Sequence, residues 1–452
     1  MTIAARPQPG PPRAYHFPEF STRTLPNGIR VIVATVSKLP LVSVATVLDV
    51  TALHDQPGKE GTAELTAQAL REGTADRTGI QLTLELEKLG TSLETGADWD
   101  STVASMTVLK DRLPRAFEIF AEVLLAPAFR TEDVERLKAE RLAERMQLLD
   151  EPRGLADESF SRFLYSADSR YAAPMGGSTR SVLAITRDDV ETFYRRNYAP
   201  SATTVILVGD ITLEAGVSLV ESKLGSWSAS RSVESSAADK AQRSEQASEL
   251  VAKPDAAQSE VRIGHIGVPR TNPDYFRIVV MNAVLGGLFS SRINLNLREA
   301  NGYTYGASSY YDWRRQSGPF VISTAVQSEV TGAAITETLK EITRMREEEI
   351  SQDELTLATS YLEGVFPIRY ETTAAIASAL TNMIVFDLPH DYFNTYRDNI
   401  AKVTTRDVLE AAKAYVNPEM LQVLVVGNPD LVQGQMEELS IGKLSVREAT
   451  EL

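Results

Sequence analysis

"ITRDDVETFYRRNYAPSATTVILVGD", residues 185–210, is answered late in the chain by "VTTRDVLEAAKAYVNPEMLQVLVVGN", residues 403–428. Val190 and Val408, Pro200 and Pro418, and Gly209 and Gly427 share a single offset of 218 residues. Each stretch reads as a helix opened at a Thr/Asp cap, then a turn built on Pro, then a β-branched strand closing at Gly. Two stretches that match without a gap imply that the 452-residue chain contains an internal duplication.

The segment between the copies supports that division. Residues 228–260, "SASRSVESSAADKAQRSEQASELVAKPDAAQSE", are rich in Ser, Ala and alternating charge and read as a linker. It separates a first half over 20–227 from a second over 261–440, with an N-terminal extension at 1–19 and a tail at 441–452. Both halves begin with extended segments ("NGIRVIVATV" and "EVRIGHIGV") and continue into long helices such as "DVERLKAERLAERMQLL" and "TGAAITETLKEITRMREEE". Strands set apart from clustered helices give an α+β class.

Composition narrows the function. The chain is 43% hydrophobic and 24% charged, which suits a folded protein with real cores. It has no cysteine, so disulfides, thiolate zinc sites, iron–sulfur clusters and a cysteine nucleophile are excluded. A net charge of −15 argues against nucleic acid and favours cationic ligands. The N-terminal "MTIAARPQPGPPRAYHFPEF" has no apolar run for a signal peptide and too many prolines for a transit helix, so a cytoplasmic location is expected, although a cysteine-free chain suits the periplasm equally. No window approaches about 18 uninterrupted apolar residues, and no membrane span is expected.

Four histidines stand at 16, 54, 265 and 390, too far apart for the helical pair that presents two imidazoles to one zinc. His265, alternating with apolar residues on an expected strand, reads as a satisfied core histidine. A helical stretch, "GTAELTAQALREGT" at 61–74, nevertheless sits between glycines in a familiar frame. It resembles the pitrilysin/insulinase superfamily of inverted zinc metallopeptidases, which includes mitochondrial processing peptidase and whose segment runs G-x-A-H-x-x-E-H-x-x-x-x-G-T. Gly61, Ala63, Gly73 and Thr74 match. Glu64 stands at the first zinc-histidine position, Ala67 at the general-base position and Gln68 at the second histidine position. The third ligand position falls on Glu144, in "KAERLAERMQ", where an ordinary solvated carboxylate is the plain alternative. Glu64, Gln68 and Glu144 would make an oxygen site suited to Ca, Mg or Mn, but without a base at 67 hydrolysis lacks its nucleophile. No metal is expected in this chain.

The second half carries the more specific likeness. "VLGGLFSSRINLNLREANGYTYGASSYYDWRRQSGPF", residues 284–320, is similar to the superfamily's L-G-G-x-x-S-S-R-L followed by L-R-E and G-x-x-Y. The family's paired arginine and tyrosine fall on Arg298 and Tyr305; the resemblance implies a carbonyl clamp and an oxyanion donor for a peptide held at zinc. Gly286, Gly287 and Gly302 are expected at tight turns, and neither glycine cluster spells a phosphate loop.

The resemblance implies two homologous halves, each an antiparallel sheet with clustered helices, forming a clam-like chamber. It also implies a chain inactive alone: a non-catalytic, substrate-binding subunit that supplies Arg298 and Tyr305 to a composite site in a heterodimer. The partner would be a homologous subunit carrying H-x-x-E-H and the zinc, and the substrate a peptide or unfolded protein. The alternatives are an inert scaffold of the kind found among respiratory core subunits, and an autonomous enzyme with a different metal.

Overall fold

The computed structural model describes residues 14–231 and 238–449. Residues 1–13 of the expected extension, 232–237 of the expected linker and 450–452 of the tail lie outside the described residues. The repeat offset holds at atomic level. Helices Arg187–Asn197 and Thr405–Tyr415 are each opened by a capping box, Thr186 with Asp189 and Thr404 with Asp407. Each is followed by a short 3₁₀ turn beginning at Pro200 or Pro418, and then by a fully buried strand.

Those strands lie inside two six-stranded sheets. In the first, β1 (Phe20–Thr24), β2 (Arg30–Thr35), β3 (Leu41–Leu48), β4 (Glu94–Ala97), β5 (Thr102–Leu109) and β6 (Thr203–Gly209) are ordered β1-β2-β6-β3-β5-β4. In the second, β7 (Ala247–Ala252), β8 (Gln258–Ile266), β9 (Ala307–Tyr311), β10 (Pro319–Gln327), β11 (Gln422–Gly427) and β12 (Lys443–Glu448) are ordered β12-β7-β11-β8-β10-β9. The sheets are mixed, not wholly antiparallel: β2 runs parallel to β6, and β7 parallel to β11. Those partners are separated in sequence by most of a half, and only short hairpins oblige strands to run antiparallel. Two boundaries shift for the same reason. Residues 247–252, within the expected linker, and 443–448, within the expected tail, pair side by side as β7 and β12. The polar Ser248, Glu249, Ser445 and Arg447 mask them in the sequence, and Arg447 is bonded to Glu249 at 2.9 Å. The counterpart of β2 is therefore β7, while "EVRIGHIGV" in β8 answers β3.

Each sheet borrows a helix from the other half. Pro152–Leu164 packs on β8, β10 and β11, and Thr373–Val385 packs on β3 and β6. Leu155 and Phe160 thus share a core with Val321 and Leu424, and Ile206 and Val208 share one with Ala377 and Leu380. Arg262 on β8 fastens the exchange: it is fully buried, with Nε 2.6 Å from Asp157 of the borrowed helix and Nη1 2.8 Å from Glu260. Residues 275–300 form a helical run long and apolar enough by composition to cross a membrane, but 67% of that window is buried inside the protein, as for a core helix.

His265 is a satisfied core residue, as its setting in the sequence suggests. Its Nε2 accepts from the Asn417 N–H at 3.1 Å, so Nδ1 carries the proton and donates to the Ile266 carbonyl at 2.8 Å. Burial holds its pKa below the usual histidine value.

Candidate functional site

The motif frame is kept for backbone reasons. Gly61, at the N-terminus of helix Thr62–Ala69, has φ +100°, and a Cβ there would lie 2.4 Å from the Gly176 carbonyl oxygen. Gly73 has φ +143°, and a Cβ would meet the Arg77 carbonyl oxygen at 2.8 Å. The buried Asp55 carboxylate accepts from the Gly61 and Ala63 N–H groups, both at 2.8 Å, and pairs with Arg170 at 2.8 Å, which fixes the helix start.

What fills the frame is an ion pair. Glu64 is hydrogen-bonded to Arg141 of helix Thr131–Asp150, and Arg141 Nη1 lies 3.6 Å from Glu144 Oε2. Gln68 Nε2 reaches Glu64 Oε1 at 3.4 Å, and Ala67 is fully buried. The degenerate positions are thus brought together, with a guanidinium between the two carboxylates where a cation is needed. Sequence reasoning missed Arg141, although its place three residues before Glu144 on one helix face was readable. Among the described residues no group of three His, Asp or Glu is placed to hold a metal. The methyl group of Ala67 cannot take a proton from water, so the family's general-base position is empty of a base. Replacing Arg141 by Leu is expected to lower stability by about 1–3 kcal/mol, because Glu64, its side chain only 14% exposed, loses its counter-charge. Denaturant unfolding checks this, and adding Glu64→Leu should restore part of the loss.

Arg298 and Tyr305 lie in the other half and do not line the 400 Å³ cavity at Glu64. Their segment is firmly anchored. A Cβ on Gly286 would meet the Ser309 N at 2.6 Å, and Gly302 has φ +67°. Arg292 holds Glu354 through Nε at 2.6 Å and Nη2 at 3.1 Å. Asn294 bonds the Phe289 carbonyl and the Ala307 N–H, and Thr304 Oγ1 donates to the Ala325 carbonyl at 2.6 Å. On this rigid base Tyr305 is 92% exposed and its hydroxyl has no hydrogen-bond partner among the described residues. The Arg298 guanidinium sits over the Phe289 ring, 4.6 Å from its centroid, with Glu299 at 3.5 Å. The Tyr305 hydroxyl is thus an open donor on an anchored loop, whereas the Arg298 guanidinium is half-buried against Phe289 and Glu299.

A second cavity, of 920 Å³, lies between the β3–β5 face and the borrowed helix Thr373–Val385, with Asp98, Trp99, Asp100, Trp313 and Arg314 in its lining. Asp100 is 6% exposed, and burial pushes its carboxyl up to about 6, reinforced by Asp98 and partly offset by the Arg315 N–H at 3.0 Å. Its folded-state pKa lies above the unfolded value of about 3.9, so its destabilising contribution grows as pH rises from 4 to 6 and persists above. Asp100→Asn is therefore expected to raise stability by about 2 kcal/mol at pH 7.5 and by less at pH 5, read from urea titrations at the two pH values.

Comparison with known proteins agrees with this construction. Residues 30–171 match the family model described as insulinase (peptidase family M16), and residues 184–362 match peptidase M16 inactive domain. The chain is 23% identical to an uncharacterized zinc protease of Streptomyces coelicolor, covering 79% of this chain and 78% of that protein. It is 24% identical to the non-peptidase homolog YmxG of Helicobacter pylori, covering 81% and 84%. A crystal structure of a peptidase M16 inactive domain from Pseudomonas fluorescens superposes with a TM-score of 0.83 at 24% identity, covering 91% of this chain and 98% of that one. A protease from Helicobacter pylori superposes at 0.81 with 17% identity, covering 91% and 100%.

Proposed function

Because the chain belongs to the pitrilysin/insulinase superfamily (family M16) and is similar to a relative named a non-peptidase homolog, we propose that it is the substrate-binding, non-catalytic subunit of a heteromeric zinc endopeptidase. In this reading a homologous partner carries H-x-x-E-H and the zinc, and this chain presents Arg298 and Tyr305 across the shared chamber to a peptide or unfolded protein. The observation that carries the reading is the contrast between the two signatures. The metal positions are closed by the Glu64–Arg141 pair, whereas Tyr305 is 92% exposed on an anchored loop with its hydroxyl open. The proposal places the complex in the cytoplasm.

The chain purified alone tests the first part. Well under one zinc per chain and no cleavage of an unstructured peptide are expected. Stoichiometric zinc together with chelator-sensitive cleavage by the lone chain would overturn the reading.

A further inference from the structure

The 920 Å³ cavity is of a size that holds small ligands, and it carries a charge deficit that the proposed peptidase role does not use. Asp98 and Asp100 stand two residues apart in the β4–β5 turn, and neither makes an ion pair among the described residues. The nearest guanidinium groups pair with other carboxylates, although Arg314 Nη1 has no hydrogen-bond partner among the described residues. Arg314 bonds Asp312 through Nε at 2.9 Å and Nη2 at 2.5 Å, and lies over the rings of Trp99 and Tyr171. Arg315 bonds Asp49 and the Val385 carbonyl.

Asp100 is the second, independent observation. It is more than nine-tenths buried, it lines the cavity, and only its Oδ1 is bonded, to a backbone N–H. A largely buried carboxylate whose second oxygen has no partner among the described residues and opens to the cavity is stabilised by a cation that reaches it there. The wall opposite is neutral, with Ala377, Thr381, Asn382, Val385 and Phe386 contributed by or adjoining the borrowed helix. Carboxylates at one end and an uncharged, partly apolar wall at the other match a positive group on an aliphatic stem. Glu87, Glu94 and Asp312 also line the cavity, but among the described residues no three carboxylates converge closely enough to hold a divalent cation, which takes six or more oxygens. An anion would meet the like charge of Asp98 and Asp100 at that end.

We propose that this cavity is a binding site for an alkyl ammonium or alkyl guanidinium group, held by Asp98 and Asp100 with its stem along helix Thr373–Val385. The group could be carried by a free amine or by a basic side chain of a peptide. The site belongs to this chain alone, so it stands or falls separately from the composite peptidase.

Calorimetric titration of the full chain at pH 7.5 and low salt tests it, with cadaverine, agmatine, a capped peptide bearing one lysine, and pentanoate as the anion of comparable length. Saturable binding of at least one cationic probe, none of pentanoate, and at least tenfold weakening in Asp100→Asn and in Asp98→Asn are expected. Asp100→Asn is expected to be the more stable protein, so its loss of binding cannot be put down to misfolding. Binding by the free amines identifies a small-molecule source; binding by the lysine peptide alone identifies a side chain. No saturable cation binding, or unchanged affinity in both Asn variants, would overturn the proposal.

Discussion

Arg262→Ala is expected to lower the unfolding free energy by about 3–5 kcal/mol. Arg262 has no exposed surface and binds Asp157, Glu260 and the carbonyls of Val261 and Arg153. Removing it strands Glu260, whose side chain is only 13% exposed, and unfastens the borrowed helix from β8. Asp157, half exposed, can return to water. Arg262→Met combined with Glu260→Gln should therefore recover most of the loss, since replacing a buried pair is far milder than breaking it. Because the helices are exchanged, the halves should also unfold together, in one transition. A loss below about 1 kcal/mol, or two separate transitions, would contradict the account of the fold.

The second large effect is on activity. In the reconstituted complex, Tyr305→Phe and Arg298→Ala are each expected to reduce kcat by roughly 10²–10³-fold, the usual consequence of removing one preorganised oxyanion donor. Stability should change by no more than about 0.5 kcal/mol for Tyr305→Phe, because the lost hydroxyl has no partner within the chain. Partner binding should persist in both variants. A loss confined to KM would reassign the pair to ground-state binding, and unchanged turnover would reduce both residues to surface.

The legible part of this fold is the locally determined part. Thr186 and Thr404 cap helices through Asp189 and Asp407, and Pro200 and Pro418 set turns, so the duplication is written in adjacent residues. The helix exchange is not, because nothing near Leu155 or Ala377 specifies which sheet will receive it. β7 and β12 escape notice because their polar residues satisfy one another across strands far apart in sequence. At the degenerate site, the missing histidines and base are read directly from Glu64, Ala67 and Gln68. The reason the frame survives is visible only in three dimensions, where Gly61 and Gly73 fit backbones that no side chain would allow. Arg141 belongs between these cases: its spacing from Glu144 is local, but its bond to Glu64 joins two helices. Tyr305 and Arg298 were named by motif, and the structure adds that their loop is anchored and the tyrosine open.

The central claim is tested most directly by isolating the chain from its native host under mild conditions, identifying by mass spectrometry what accompanies it, and assaying the material on an unstructured peptide with and without chelator. The account predicts a stoichiometric partner bearing H-x-x-E-H and cleavage abolished by chelator. A chain that comes without such a partner, or an assembly that cleaves nothing, would contradict it and favour an inert scaffold.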